Sequence, residues 1–144
     1  MPGHDEYGKQ VLSRASNGRA QLEGTSVEID YGCGGPCRID GTVAGSIAVE
    51  AEARTGKQVR GALLDLISHP FPKKLLLLMP GNMDVRIEAR RCRIILCRYF
   101  PDNDVRVVSL HGNGNEPDFE RDVSLVSAAI LELLSADRAD DSAA

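Results

Sequence analysis

Five apolar residues, Val59, Ala62, Leu63, Leu66 and Ile67, recur at i, i+3, i+4, i+7 and i+8 and define a single helical stripe. Thr55 stands where the N-cap of that helix belongs, and Pro70 with Pro72 turns the chain out of helical geometry. Lys73-Lys74 then opens Leu75-Leu76-Leu77-Leu78-Met79, a continuous apolar run closed by Pro80-Gly81. A run this short with no polar face predicts a strand buried on both sides. Helical spacing returns over 83–99, with Val85, Ala89, Cys92, Leu96 and Tyr99 on one side. It returns again over 118–134, with Phe119, Val123, Val126, Ile130 and Leu133 turned inward. Residues 104–110 (DVRVVSL) read as a last strand. Toward the amino end, 7–20 predicts a helix stopped by Asn17-Gly18, followed by strands over 25–31, 37–44 and 47–53. The order is α-β-β-β-α-β-α-β-α. An antiparallel meander followed by crossover strands implies an α/β fold, a mixed sheet with helices on both faces.

The meander holds the informative chemistry. Alternation places Ile47, Val49, Ala51 and Ala53 on one face of its third strand, and Glu50 and Glu52 on the other. On the preceding strand Ile39, Gly41 and Val43 form the apolar face, while Arg38, Asp40 and Thr42 point away. A two-residue turn at Ala44-Gly45 would set Asp40 against Val49 and mix the faces. A three-residue loop, Ala44-Gly45-Ser46, pairs Val43 with Ile47, Gly41 with Val49 and Ile39 with Ala51, and keeps the faces apart. In that register Asp40 lies opposite Glu50, with Glu52 one step along the same face. Opposed residues have Cβ atoms about 4.5–5.5 Å apart, where like charges destabilise a sheet. Such crowding requires raised pKa values, nearby Arg or Lys, or a divalent cation, and hard oxygen donors suit Mg²⁺ or Mn²⁺. A solvated acidic face is the alternative.

At these residues the chain resembles the PD-(D/E)XK, or restriction-endonuclease-like, nuclease superfamily. Asp40 in Arg38-Ile39-Asp40-Gly41, followed by Glu50-Ala51-Glu52, matches that family's acid on one strand and acidic-x-Lys tripeptide on the next. The resemblance covers residues from about 5 to 80. It implies an αβββαβ core and a divalent metal held by Asp40, Glu50 and Glu52. It further implies hydrolysis of phosphodiester bonds in nucleic acid, with DNA favoured. Ile39 replaces the usual Pro, and Glu52 stands where the family usually has Lys. Arg54 and Lys57 are the cations placed to substitute for that lysine. Gln58 matches a glutamine that members often carry on the following helix, and Glu6 is the nearest acid on the first helix. The rival reading is a catalytically inactive member that binds nucleic acid or serves as a dimeric interaction module.

Composition narrows the partners. The chain has 144 residues, 42% hydrophobic and 26% charged, which fits one folded domain over 1–137 with a frayed acidic tail over 138–144. A net charge of −4 excludes a uniformly basic DNA-coating protein, so a nucleic acid must meet a local basic surface. Arg54, Lys57 and Arg60 cluster beside the acidic patch, and Arg86, Arg90 and Arg93 form a stripe on the later helix. Aromatics are 4%, which argues against stacking several bases on rings. Cys33-x3-Cys37 and Cys92-x4-Cys97 match no redox or zinc-ribbon spacing, and reduced thiols are expected, although arithmetic alone leaves a four-cysteine zinc site open. The amino terminus has no signal-peptide pattern and no apolar run spans a bilayer, so the chain reads as soluble and cytoplasmic. The apolar residues of 118–134 spread over more than one stripe, which predicts a homodimer through that helix.

Overall fold

The computed structural model describes residues 3–22, 28–29 and 37–143. Helix α1 (His4–Ala15) leads to β1 (Ala20–Gln21), then to β2 (Glu28–Ile29), β3 (Cys37–Arg38), β4 (Gly41–Val43) and β5 (Ile47–Glu52). Helix α2 (Lys57–Ser68), β6 (Lys73–Leu78) and α3 (Val85–Leu96) follow. After a 3-10 turn at Asp102–Asp104 come β7 (Val105–Ser109) and α4 (Phe119–Ala143). The main sheet runs β1-β4-β5-β6-β7. β4 is antiparallel to both β1 and β5, while β5, β6 and β7 are mutually parallel. The fold is therefore a mixed α/β sheet, and the helical crossovers produce the parallel half.

Packing follows the alternation. Ile47, Val49, Leu75 and Leu77 turn to one face and meet α1 and α4 through Val11, Leu12, Val126, Ile130 and Leu133. Ala48, Leu76, Leu78 and Val105 turn to the other and meet α2 and α3 through Val59, Leu63, Leu66, Cys92 and Leu96. Leu75 through Met79 are all 0% exposed, as a strand with helices on both sides requires. The hairpin adopts the three-residue loop, with Val43 opposite Ile47 and Gly41 opposite Val49; Ala44 and Gly45 both take positive φ there.

Several expectations need correction. The meander's first strand is not the 25–31 segment: β1 at Ala20–Gln21 fills that place beside β4, and β2 pairs with β3 in a separate two-stranded ribbon. The expected strand over 37–44 is broken at Ile39–Asp40, because β3 belongs to the ribbon and β4 to the sheet. The break reverses the side-chain parity: Ile39 packs with the α2–α3 core and Val43 with the α1–α4 core. Gly41 allows the close approach of β1, since a Cβ there would lie 2.8 Å from the Gln21 carbonyl oxygen. The N-cap of α2 is Gly56 at φ 70 rather than Thr55. Tyr99, expected inside, lies beyond the end of α3 and is 62% exposed. Helix α4 extends to Ala143.

Cys92 is buried and Cys97 half-buried, both as free thiols, and burial pushes the Cys92 thiol up to about 11. Cys33 lies outside the described residues. Among the described residues no helix is long and apolar enough to cross a membrane. Among the described side chains of α4, Phe119, Val123, Val126, Ile130 and Leu133 pack in or against its own core, while Leu125 and Leu131 are exposed.

β6 also begins with two buried lysines. Lys73, 2% exposed, meets Asp104 at 3.2 Å. Lys74, 0% exposed, donates to the His69 carbonyl at 2.7 Å and lies over the Phe100 ring. Burial pulls the Lys74 ammonium down to about 8 from 10.5. Between those values the native chain binds fewer protons than the unfolded one, so this group's contribution to stability rises with pH. Subtracting the pH–stability curve of Lys74→Met from that of the wild type is expected to leave a rise across that interval. A flat difference in thermal melts would show that Lys74 is solvated.

Candidate functional site

The site lies where β4 parts from β5. Beyond the Gly41–Val49 pair the ladder stops, which leaves the Ala51 N–H of β5 without a strand partner on that side. Asp40 supplies the acceptor: its Oδ2 takes the Ala51 N–H at 2.8 Å. In return the Asp40 N–H donates to Glu50 Oε1 at 2.8 Å. The register inferred from alternation thus brings Asp40 and Glu50 together, but through reciprocal side-chain-to-backbone bonds in place of a flat ladder pair.

Burial sets the electrostatics. Glu50 and Glu52 are each 8% exposed, and Asp40 is half-buried. Burial, with Asp40 beside it, pushes the Glu50 carboxyl up to about 9, and Asp65 and Glu52 add to the rise. Burial also raises Asp40; the Ala51 N–H and Lys9 oppose the shift, while Asp5 and Glu52 reinforce it. Glu52 is held differently. Arg54 Nε donates to Glu52 Oε1 at 2.9 Å, and the Arg54 N–H reaches the same oxygen at 2.9 Å. Arg54 therefore stands beside the carboxylates, as the sequence suggested for a replacement cation. Lys57 and Gln58 are exposed in the first turn of α2, and no hydrogen bond joins either to the carboxylates. Arg60 is exposed farther along α2, in the groove facing α3. On α3, Arg86 and Arg90 are exposed, while Arg93 donates to the Val105 carbonyl at 3.3 Å and is tied to β7.

The acid that α1 brings to the site is Asp5, one residue from the expected Glu6. Gly8 of α1 packs against Ala51, since a Cβ there would lie 3.1 Å from the Ala51 Cβ. That contact sets the first turn of α1 over the carboxyl end of β5. Asp5 lines a small cavity with Lys9, Asp40 and Ala51, and also a cleft of about 270 Å³ with Glu52 and Arg54. Glu6 points to solvent and pairs with Gln10. One residue is about 100° around a helix, so Glu6 turns away from the cavities that Asp5 lines. Lys9 and Asp65 were also missed, because only tertiary packing brings them near.

A buttress behind the site was equally hidden. Asp122 of α4, 0% exposed, accepts the Tyr7 hydroxyl at 2.5 Å and the N–H groups of His111 and Gly112 at 2.7 and 2.9 Å. The following loop bonds to both neighbours. Asn113 donates to the Pro80 carbonyl at 2.8 Å, and the Gly114 N–H donates to His4 Nδ1 at 3.1 Å. The loop therefore ties the start of α1 to the end of β6.

Among the described residues no three His, Cys, Asp or Glu side chains converge as a ready set of metal ligands. The donor types nevertheless suit a hard divalent ion: half-buried Asp40 and buried Glu50 offer carboxylate oxygens, and Glu52 a third in contact with Arg54.

Removing the Asp122 carboxylate would leave the Tyr7 hydroxyl proton and two amides unpaired, while the hydroxyl oxygen still accepts the Asp118 N–H, at a cost of about 3 kcal/mol. Asp122→Ala is expected to lower stability by that amount in urea unfolding, and Asp122→Asn by less. Equal stability of Asp122→Ala and wild type would remove the buttress.

Comparison with family models, with curated proteins and with solved structures finds no match to this chain.

Proposed function

We propose that the chain is a divalent-metal-dependent nuclease of the restriction-endonuclease-like kind, with DNA as the favoured substrate. The observation that carries the reading is the Asp40–Glu50 pair, a half-buried and a buried carboxyl group cross-bonded at the point where β4 leaves β5. A protein that needed only to close this edge would place neutral acceptors there, because burying two acids side by side is costly. The order of the sheet adds support: an antiparallel hairpin continued by a parallel strand across α2 is what the family's core requires. Strands β5, β6 and β7 run the same way, so the starts of α2, α3 and α4 follow their carboxyl ends. Helix starts favour anions, which makes that edge the natural approach for a phosphate.

Asp40 and Glu50 would hold Mg²⁺ or Mn²⁺, with Glu52 at hand for the same ion or a second. Such an ion, when bound, makes water more acidic and polarises a phosphoryl oxygen. Arg54 supplies the fixed positive charge that the family's lysine would have supplied, positioned by Glu52 to meet charge building on phosphorus. Lys57 and Gln58, exposed in the first turn of α2, flank the approach. Asp5 closes the far wall of the Glu52–Arg54 cleft.

One observation favours a catalytically silent fold that binds nucleic acid or assembles with a partner. Asp40 and Glu50 already satisfy each other's backbone neighbours, and Glu52 already has Arg54, so the site is bonded without an ion. Calorimetric titration with Mn²⁺ separates the readings. Wild type is expected to bind at a micromolar to millimolar level, with binding lost in Glu50→Ala. Metal-stimulated cleavage of plasmid or oligonucleotide DNA is expected to fall at least about a hundredfold in Asp40→Ala. Mn²⁺ binding that survives Glu50→Ala, or cleavage unchanged by Asp40→Ala, would refute the nuclease.

A further inference from the structure

The outer face of α3 is not an ordinary solvated face. Cys92 and Leu96 point into the core, and Val85 and Ala89 pack beside them. Directly opposite, Ile87 and Ile94 are 49% and 53% exposed. Seven residues apart, they stand on one line of the helix. Exposed Arg86 and Arg90 flank that line on one side and exposed Arg91 on the other, and exposed Arg98 follows just beyond the end of the helix. No lysine occurs in the helix, and its one acid, Glu88, is bonded to Arg91 at 3.1 Å. A chain of net charge −4 has thus concentrated arginine around two outward isoleucines.

The helix also stands proud of its surroundings. One flank drops into a hollow of about 330 Å³ lined by Asp84, Arg86, Ile87 and Arg90. The other drops into a groove of about 230 Å³ shared with α2, between Arg60 and Arg91. Helix α3 packs on β6 and β7, and β7 is the edge of the sheet, so no further strand crowds its outer flank. Twelve residues give a ridge about 18 Å long.

We propose that α3 enters the major groove of duplex DNA, with Arg90 and its neighbouring arginines on guanine edges and phosphates and with Ile87 and Ile94 on thymine methyl groups. This rests on the reading of the chain as acting on nucleic acid and names the duplex that it takes. The groove of B-form DNA, about 12 Å wide, admits a helix and offers guanine acceptors to arginine and thymine methyls to apolar side chains. A phosphate backbone alone would need the arginines and leave the isoleucines unexplained. The major groove of duplex RNA is too deep and narrow for the same contact, so the geometry selects DNA. Arg93, tied to Val105, stays on the flank and anchors the ridge to β7.

The test uses the full chain in EDTA, so that binding is read without cleavage. Duplex DNA enriched from a random pool by binding to wild type is compared, by fluorescence anisotropy, with the same duplex carrying uracil for thymine and with duplex RNA of that sequence. Wild type is expected to bind the RNA at least about tenfold more weakly and the uracil DNA about threefold to tenfold more weakly. In the Ile87→Ala, Ile94→Ala double variant the thymine–uracil difference is expected to vanish; both positions are exposed, and a thermal melt confirms that the variant folds. The idea is overturned if no duplex DNA is enriched, if RNA binds as tightly, or if wild type ignores the missing methyls. A protein partner for this face would give the first of those results. Cleavage with Mn²⁺ is scored separately on the same duplexes. Thymine-dependent binding without cleavage removes the nuclease and keeps the helix assignment; cleavage without thymine dependence does the reverse.

Discussion

Two carboxyl groups cannot both ionise freely when they are packed against one another under helices, and the Asp40–Glu50 pair places that conflict at the centre of the molecule. The break in the second meander strand, the loss of ladder beyond Gly41 and the capture of the Ala51 N–H all meet at these residues. The reciprocal bonds make the parting of β4 and β5 a defined geometry instead of a frayed edge. Neither carboxyl group can be removed without releasing a backbone N–H that the other half of the arrangement depends on. The conflict also explains the neighbours. Lys9 favours the charged form of Asp40, and Arg54 grips Glu52, so one member of the central pair and the acid beside it each have a cation near.

The rest of the fold supplies the walls around this pair. Parallel β5, β6 and β7 send their carboxyl ends to one edge, and Gly8 lets α1 descend close enough for Asp5 to reach the same edge. Asp122 fixes the loop after β7 and, through Tyr7, the body of α1. The opposite end of β6 has the contrary arrangement, with Lys73, Lys74 and a buried His69 whose Nε2 has no hydrogen-bond partner among the described residues. Acids at one end and bases at the other are both buried by the same pair of helical layers. The aliphatic core must be strong enough to offset both, and Leu75 through Met79, fully enclosed, are its centre.

The parts of this arrangement that were legible in the sequence are those set by short-range periodicity. The stripe Val59–Ala62–Leu63–Leu66 specified α2, the leucine run specified a strand covered on both faces, and alternation with the Ala44-Gly45-Ser46 loop specified the register that brings Asp40 to Glu50. What escaped depended on contacts between distant segments. Nothing local in Ala20–Gln21 marks a strand, because two residues become one only when β4 is beside them. The parity reversal at Ile39 arises because two sheets compete for one segment, and periodicity assumes a single partner. Asp5 displaced Glu6 for a similar reason: the tilt of α1 over Ala51 is a property of packing, and it selects which acid faces the site. Tyr99 was assigned inward by continuing a helix that in fact ends at Leu96.

Under the proposed nuclease reading, the Glu52–Arg54 pair stands where the family has a lysine, and that changes the chemistry available. A lysine at that position would offer a cation able to lose its proton when desolvated. Arginine cannot do so, and its planar donors are fixed by the carboxylate they grip. Arg54 Nε and its own N–H both reach Glu52 Oε1, and Nη2 reaches Glu52 Oε2 at 3.5 Å, so both oxygens of Glu52 grip the guanidinium beside the cleft. In the proposed hydrolysis Arg54 would therefore bind and neutralise a phosphate, and it could not take a proton from water. Proton removal falls to a carboxylate or to solvent. Among the carboxylates, Glu50 binds its proton too tightly to accept another at neutral pH, because burial beside Asp40 has already raised it to about 9. An ion that displaced that proton would free both members of the pair at once. The same two groups that make the unliganded site costly are the ones whose cost a divalent cation would relieve.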